Sequence, residues 1–424
     1  MKLPRLPLAS SLFAALSLAV GAAAIAAPPA PAAPPMPTAA AAAARPRISP
    51  ELARRGEAAL AKGAAFLLAK QLPNGSWLMN PATTALNCLA LSLAPTRETP
   101  AVQTAINRGL DFVAANAQPD GSIYNRELEE YPNYSTAIST SALVLINRPQ
   151  DEKVIRAARQ FLLGSQFQDA AHDGTAFGGI GYGKAKRPDL SNTQWALEAL
   201  YLTDHLDREP HSNDPAKARQ ADLAWERAVQ FLGQCQNLPA VNKQAWVAAD
   251  PDNRGGFVYL PGESKAGKLT KAGTASEETH ATDEGDTLRS YGSMTYAGLK
   301  SMIYARLGPD DPRVKAAFAW LGQRYSFAEN PGMGTAGLYY YYHTAAKALA
   351  ATGRETITLA DGSTRHWRND LAEALLARQK PDGSWANENA RWWESLPELT
   401  TGYSLIALGI TLDRAPQFLG EAPR

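Results

Sequence analysis

The chain is short of thiols and of any charge imbalance. Its 424 residues include only two cysteines, Cys88 and Cys235. Two thiols so far apart give no disulfide framework, and the expectation is two small apolar residues in a core. Positive side chains number 42 and negative ones 41, with no long run of either sign. That balance argues against nucleic acid as a partner and against a polybasic membrane anchor. Beyond the first 26 residues no stretch is apolar enough to cross a bilayer. What remains is the composition of an ordinary globular chain with a sizeable core.

The N-terminus is a separate matter. Lys2 and Arg5 form a basic head, and residues 7–26 are almost wholly apolar. Ala24-Ile25-Ala26 has the small-x-small pattern of a signal-peptidase site. Residues 1–27 are therefore read as a secretory signal, which places the protein outside the cytoplasm, in the periplasm or cell envelope. An uncleaved anchor is the competing reading. No cysteine follows the apolar run, so a lipoprotein anchor is excluded. Residues 28–46 are a Pro/Ala tether, stiffened by proline and without material for a core. Residues 47–415 are read as a single domain.

That domain repeats itself. "KQLPNGSW" (70–77) and "RQKPDGSW" (378–385) share Gln-x-x-x-Gly-x-Trp, and "NAQPDGSI" (116–123) is a weaker copy. Each follows an amphipathic helical pattern, and Gln166 and Gln236 end two more. Pro-Asn/Asp-Gly is turn chemistry. A Gln at a helix end is expected to bond unpaired backbone groups of the last turn, with Trp covering it from the side. A second helix follows each turn. Thr84, Thr136, Thr193, Thr295 and Thr401 each have Leu or Met seven residues later, and Tyr342 takes the Thr place in a sixth copy. A long insertion, about 250–290, carries the strand-like "GGFVY" (255–259).

Six helix–turn–helix units cannot bury their apolar faces alone and must stack. The expectation is an all-α fold, an α/α6 toroid of six hairpins in two concentric rings, with a small β-hairpin-like insertion. The Gln-x-x-x-Gly-x-Trp phrases and the Thr-to-Leu inner helices resemble the squalene/hopene cyclase and protein prenyltransferase repeat superfamily. The resemblance covers the whole mature chain. It implies the toroid and an apolar central pocket lined by aromatic rings, which can stabilise carbocations.

Counting from each Thr, or from Tyr342, offsets +4 and +7 are small or apolar nearly throughout, so that face packs on the outer ring. Offsets +1 and +5 differ between units: Ala85/Leu89, Ala137/Ser141, Gln194/Glu198, Tyr296/Lys300, His343/Lys347 and Gly402/Ile406. This stripe is expected to line the central cavity. Ionisable groups inside an apolar ring need water or a partner. Glu198 with Lys300 and Lys347 could equally be an internal ion cluster. Candidate catalytic residues are His343, Tyr340, Glu198 and Lys347; candidate ligand-binding residues are Gln194, Tyr296, Lys300, Tyr339 and Tyr403.

The chemistry that the resemblance implies lacks its motifs. Class II terpene cyclases need Asp-x-Asp-Asp to protonate an alkene, and the chain has only Asp250-Pro-Asp252-Asn253 and Asp310-Asp311. Zinc prenyltransferases need Asp, Cys and His. "YYHTAAKAL" (341–349) supplies the His place in His343, but the Asp-x-Cys half is missing. No metal and no cofactor is expected. The acidic run 277–286 is a solvated loop or a lid, and Asp189 or Ser191 is an N-cap candidate. The leading reading is an exported toroid that holds a hydrophobic, polyisoprenoid-like molecule; if it is catalytic, it is an isomerase or lyase of the cyclase kind. A polysaccharide lyase or glycan-binding toroid and a non-catalytic scaffold are the alternatives.

Overall fold

A computed structural model describes residues 48–128, 131–183, 187–248 and 250–414. The signal segment 1–27 and the tether 28–46 lie outside the described residues. The main helices come in six pairs. The outer members are α1 (Pro50–Lys70), α3 (Pro100–Ala115), α5 (Glu152–Gly164), α7 (Pro215–Gln234), α9 (Pro312–Gln323) and α11 (Trp367–Leu376). The inner members are α2 (Pro81–Ser92), α4 (Pro132–Ile146), α6 (Leu190–Leu202), α8 (Gly292–Tyr304), α10 (Leu338–Thr352) and α12 (Pro397–Thr411). Each inner helix packs on the next, and α12 packs back on α2, so the ring is closed. The approach at that seam is tight: a Cβ on Gly402 of α12 would stand 2.4 Å from Asn87 Oδ1 of α2.

The repeated phrase is a clasp. Gln71 Nε2 donates to Gly75 O in its own turn and to Ala105 O on the next outer helix, both at 2.8 Å. Gln166 and Gln236 do the same with Gly178 and Ala224, and with Gly255 and Arg313. Gln379 bonds Gly383 O and, at 2.9 Å, Ala59 O on α1, which shuts the outer ring with the same device. Gln118 departs, bonding Asn116 O and Tyr124 O and reaching no neighbouring helix. The last-turn carbonyl expected for the Gln is taken by the Trp: Trp77 Nε1 donates to Leu67 O and Trp385 Nε1 to Leu375 O. The turn glycine is needed twice over. Gly383 has φ +89°, and a Cβ there would meet Lys62 O at 2.5 Å.

The inner-helix threonine fastens the other side of the turn. Thr84 Oγ1 accepts from Trp77 N, Thr136 from Ile123 N, Thr193 from Ile180 N, Thr295 from Phe257 N and Thr401 from Trp385 N. In the fifth unit the Tyr342 hydroxyl donates to Phe327 O at 2.6 Å. Its leucine seven residues on, Leu349, is fully buried.

The insertion forms a three-stranded antiparallel sheet, β1 (Lys268–Leu269), β2 (Ala275–Ser276) and β3 (Thr287–Leu288), ordered β2-β1-β3. "GGFVY" makes only the bridge from Phe257 to Gln236. A second hairpin, β4 (Thr356–Thr358) and β5 (Thr364–His366), joins α10 to α11. Among the described residues no helix is long and apolar enough to cross a membrane.

Candidate functional site

Five inner helices, α4, α6, α8, α10 and α12, bring their N-terminal turns to one cavity of about 350 Å³. Its wall is aromatic: Tyr134, Trp195, Tyr291, Tyr340 and Tyr403 from the helices or their first residues, with Tyr131, Tyr182, Tyr259, Trp392 and Trp393 from flanking segments. Ser191, Ser293, Lys265 and Glu394 are the polar members, and Met294 and Leu399 complete the lining. Trp195 meets Tyr134 edge-on at 6.4 Å and Tyr340 at 6.3 Å between ring centres, and Tyr340 meets Tyr403 edge-on at 6.2 Å. These are favourable aromatic geometries.

Hydroxyl groups pair along the wall. The Tyr134 and Tyr403 hydroxyls stand 3.1 Å apart. Tyr340 Oη takes a bond from Gln194 Nε2 and shares one with Ser191 Oγ, each at 3.2 Å. Burial pushes the Tyr340 and Tyr403 phenols above their ordinary value, so both stay protonated.

Behind this wall lies a charged layer. His343 of α10 sits with its ring 5.0 Å from that of Trp195 and 5.1 Å from that of Tyr403, and neither ring nitrogen has a hydrogen-bond partner. Burial, reinforced by Lys347 and Lys300, holds it well below the usual histidine value, so the imidazole is neutral. Glu198 of α6 accepts from Lys300 of α8 and Lys347 of α10, each at 2.5 Å. Because α8 stands between α6 and α10, the Glu198–Lys347 bond crosses the ring interior. Both ammonium groups rest on Trp195, at 5.4 and 5.1 Å from its ring centre. Burial would raise the Glu198 carboxyl, but the two ammonium charges outweigh it and hold the group below the usual range. Burial, with the neighbouring Lys300 charge, brings Lys347 down to about 8.

Two buried acids complete the surroundings. Asp189 caps α6 by accepting from Asn192 N at 2.8 Å, and burial lifts its carboxyl to about 6 against those hydrogen bonds. Glu394 caps α10: its Oε1 accepts from Tyr340 N and its Oε2 from Asn387 Nδ2, both at 2.7 Å, while burial raises its pKa. Just before it, Trp392 and Trp393 have φ of 56° and 62°, a strained region for such bulky residues. Both rings nevertheless reach the cavity mouth and stay partly exposed.

Of the residues singled out from sequence, Tyr340 and Tyr403 line the cavity and Gln194 touches it through Tyr340. His343, Glu198, Lys300 and Lys347 form the layer behind. Tyr296 and Tyr339 are placed elsewhere: Tyr296 packs on Tyr341 at 5.7 Å and Tyr339 edge-on against Tyr342 at 5.9 Å, and neither lines the cavity. In the acidic run, Glu278 and Asp286 pair with Lys268, and His280 with Glu263. Among the described residues no group of three or more His, Cys, Asp or Glu is placed to hold a metal ion. Glu394, Tyr134, Tyr259 and Lys265 were not anticipated. Only the "WWE" step beside the last clasp hinted at Glu394.

Residues 56–214 match the squalene-hopene cyclase C-terminal domain family. A variant of the type II terpene cyclase MstE from Scytonema, solved in complex with merosterolic acid A, matches with a TM-score of 0.50 and 13% identity, covering 87% of this chain and 99% of that one. An apo form of the same cyclase gives 0.51 at 13% identity over the same shares. The fold is the squalene/hopene cyclase-like toroid. A family 15 glucoamylase from Hypocrea jecorina is similar only at a TM-score of 0.40 and 12% identity, over 88% of this chain and 74% of that one, which is too low to bear on the function of the toroid. No curated protein matches the chain.

Proposed function

We propose that this toroid is an exported binding protein for an elongated, polyisoprenoid-like molecule, held in the aromatic cavity. The cavity itself carries the reading. At about 350 Å³, with rings on most of its wall and a few placed hydroxyls, it has the size and lining of a small-molecule site. The merosterolic acid A bound by the type II terpene cyclase is a precedent in a similar fold. Export rests on the basic head and apolar run of residues 1–26. Cation cyclisation fits poorly. The Asp-x-Asp-Asp acid is missing, and Trp195, the indole on the inner wall, already carries two ammonium groups of the protein's own.

The purified protein is to be incubated with a cell-envelope lipid extract, re-isolated and analysed by mass spectrometry. An apolar, isoprenoid-like species is expected to stay with the wild type. It should be lost from Leu399→Trp, where the larger side chain fills the cavity. Recovery of no lipid from the wild type, or equal recovery from the filled variant, would end this reading.

A further inference from the structure

We infer that the molecule held in the cavity ends in a carboxylate, with its head against the hydroxyl-bearing wall in front of Glu198, Lys300 and Lys347 and its tail among the aromatic rings. This rests on the cavity reading above and narrows it to one chemical class.

The inference starts from charge. Two ammonium groups share the single carboxylate of Glu198, and all three side chains are at most 1% exposed. With both lysines protonated the cluster holds one positive charge in excess, at a depth where burial pulls both ammonium groups below their ordinary values and an unbalanced charge is costly. Both ammonium groups lie on Trp195, and Trp195 is part of the cavity wall, so their field reaches whatever lies against that ring. Next to it are two hydroxyl pairs, Tyr134 with Tyr403 and Tyr340 with Ser191, in each of which one hydrogen bridges the pair. His343, with both nitrogens unpartnered, backs the same wall between Trp195 and Tyr403. The inner helices also present their positive N-terminal ends to the cavity.

The other charges around the site fit this polarity. Lys265 is paired with Glu263, and Asp189 is engaged in capping α6. Among the described residues Glu394 is the only acid in the lining, and it is bound to the main chain of Tyr340, while the hydroxyl of that residue is held at Ser191 and Gln194. The side chain of Tyr340 thus separates the acid from the hydroxyl wall. A neutral head would gain nothing from the excess charge, and a cationic one would be repelled.

Three probes of one shape separate these cases: farnesoic acid, farnesol and farnesylamine, titrated by calorimetry at pH 7. The acid is expected to bind about tenfold more tightly than the alcohol, and the amine most weakly. Lys347→Met leaves Glu198 and Lys300 as a balanced pair, and there the advantage of the acid over the alcohol should collapse. A wild type that binds alcohol as tightly as acid, or amine most tightly, overturns the inference without recourse to any variant. So does a folded Lys347→Met protein that keeps the full acid preference. If none of the three binds the wild type, it is the cavity reading that fails.

Discussion

The inner ring has two unlike halves. The stripe expected to line the cavity does not line it in any unit; on α12, α2 and α4 it is Gly402/Ile406, Ala85/Leu89 and Ala137/Ser141, small or apolar and all buried. On α6, α8 and α10 the same positions hold Gln194/Glu198, Tyr296/Lys300 and His343/Lys347, equally buried. The first half closes the ring by contact, with Gly402 pressed to Asn87. The second packs as closely and adds a carboxylate held from two sides. One scaffold thus tolerates two solutions to the same interior, and the costlier one stands directly behind the candidate site.

Glu198→Ala should be the most damaging change, because it leaves two ammonium groups buried without a carboxylate. A loss of about 3–5 kcal/mol is expected in denaturant unfolding. In the apolar half, Leu89→Ala should cost about 3 kcal/mol by opening a cavity. A comparable loss from both would be consistent with both halves being fully packed; a negligible loss from Glu198→Ala would mean water reaches the cluster.

The charged half should also respond to pH through Lys347. Below pH 8 Lys347 is protonated whether the chain is folded or not. Between pH 8 and about 10 the folded chain sheds that proton, while the unfolded chain, near the ordinary lysine value of 10.5, retains it. At this site the unfolded state then binds the extra proton, so the contribution of Lys347 to stability rises with pH, by about 2 kcal/mol over this window. Cys88 and Cys235 work against it, because burial pushes both thiols up in the folded chain while the unfolded ones ionise in this window, and unfolded tyrosines join them above about pH 10. Thermal melts of the wild type and of Lys347→Met should diverge across the window, with the wild type gaining on the variant as pH rises.

The smallest effect concerns the clasps. Gln379→Ala removes a bond between the last turn and α1 and should cost about 1 kcal/mol. Gln118→Ala, which breaks no bond to a neighbouring helix, should cost less.

What could be read from sequence was what repeats locally. The clasp residues and the Thr-to-Leu spacing recur because every unit solves the same turn, and six of them suffice to shut a ring. The ion cluster was legible because three consecutive units place charges at one offset. Tyr296 misled because the offset gives a direction from the helix axis, and its ring packs on Tyr341 of α10; Tyr339 was singled out from the row of four tyrosines, and its ring packs on Tyr342. Glu394 belongs to an aperiodic segment that meets α10 only in the folded ring, 54 residues from Tyr340. The hairpin β4–β5 had its own signal in the alternation of "TITLADGSTRH" about an Asp-Gly turn.

The Gln379 clasp on Ala59 and the Arg414–Glu57 pair bring both ends of the described chain to α1. The seam between last and first unit is therefore built like any other junction, and its position in the gene is arbitrary. A circularly permuted protein, with 414 linked to 48 and new termini placed after Gln118, should assemble the same body.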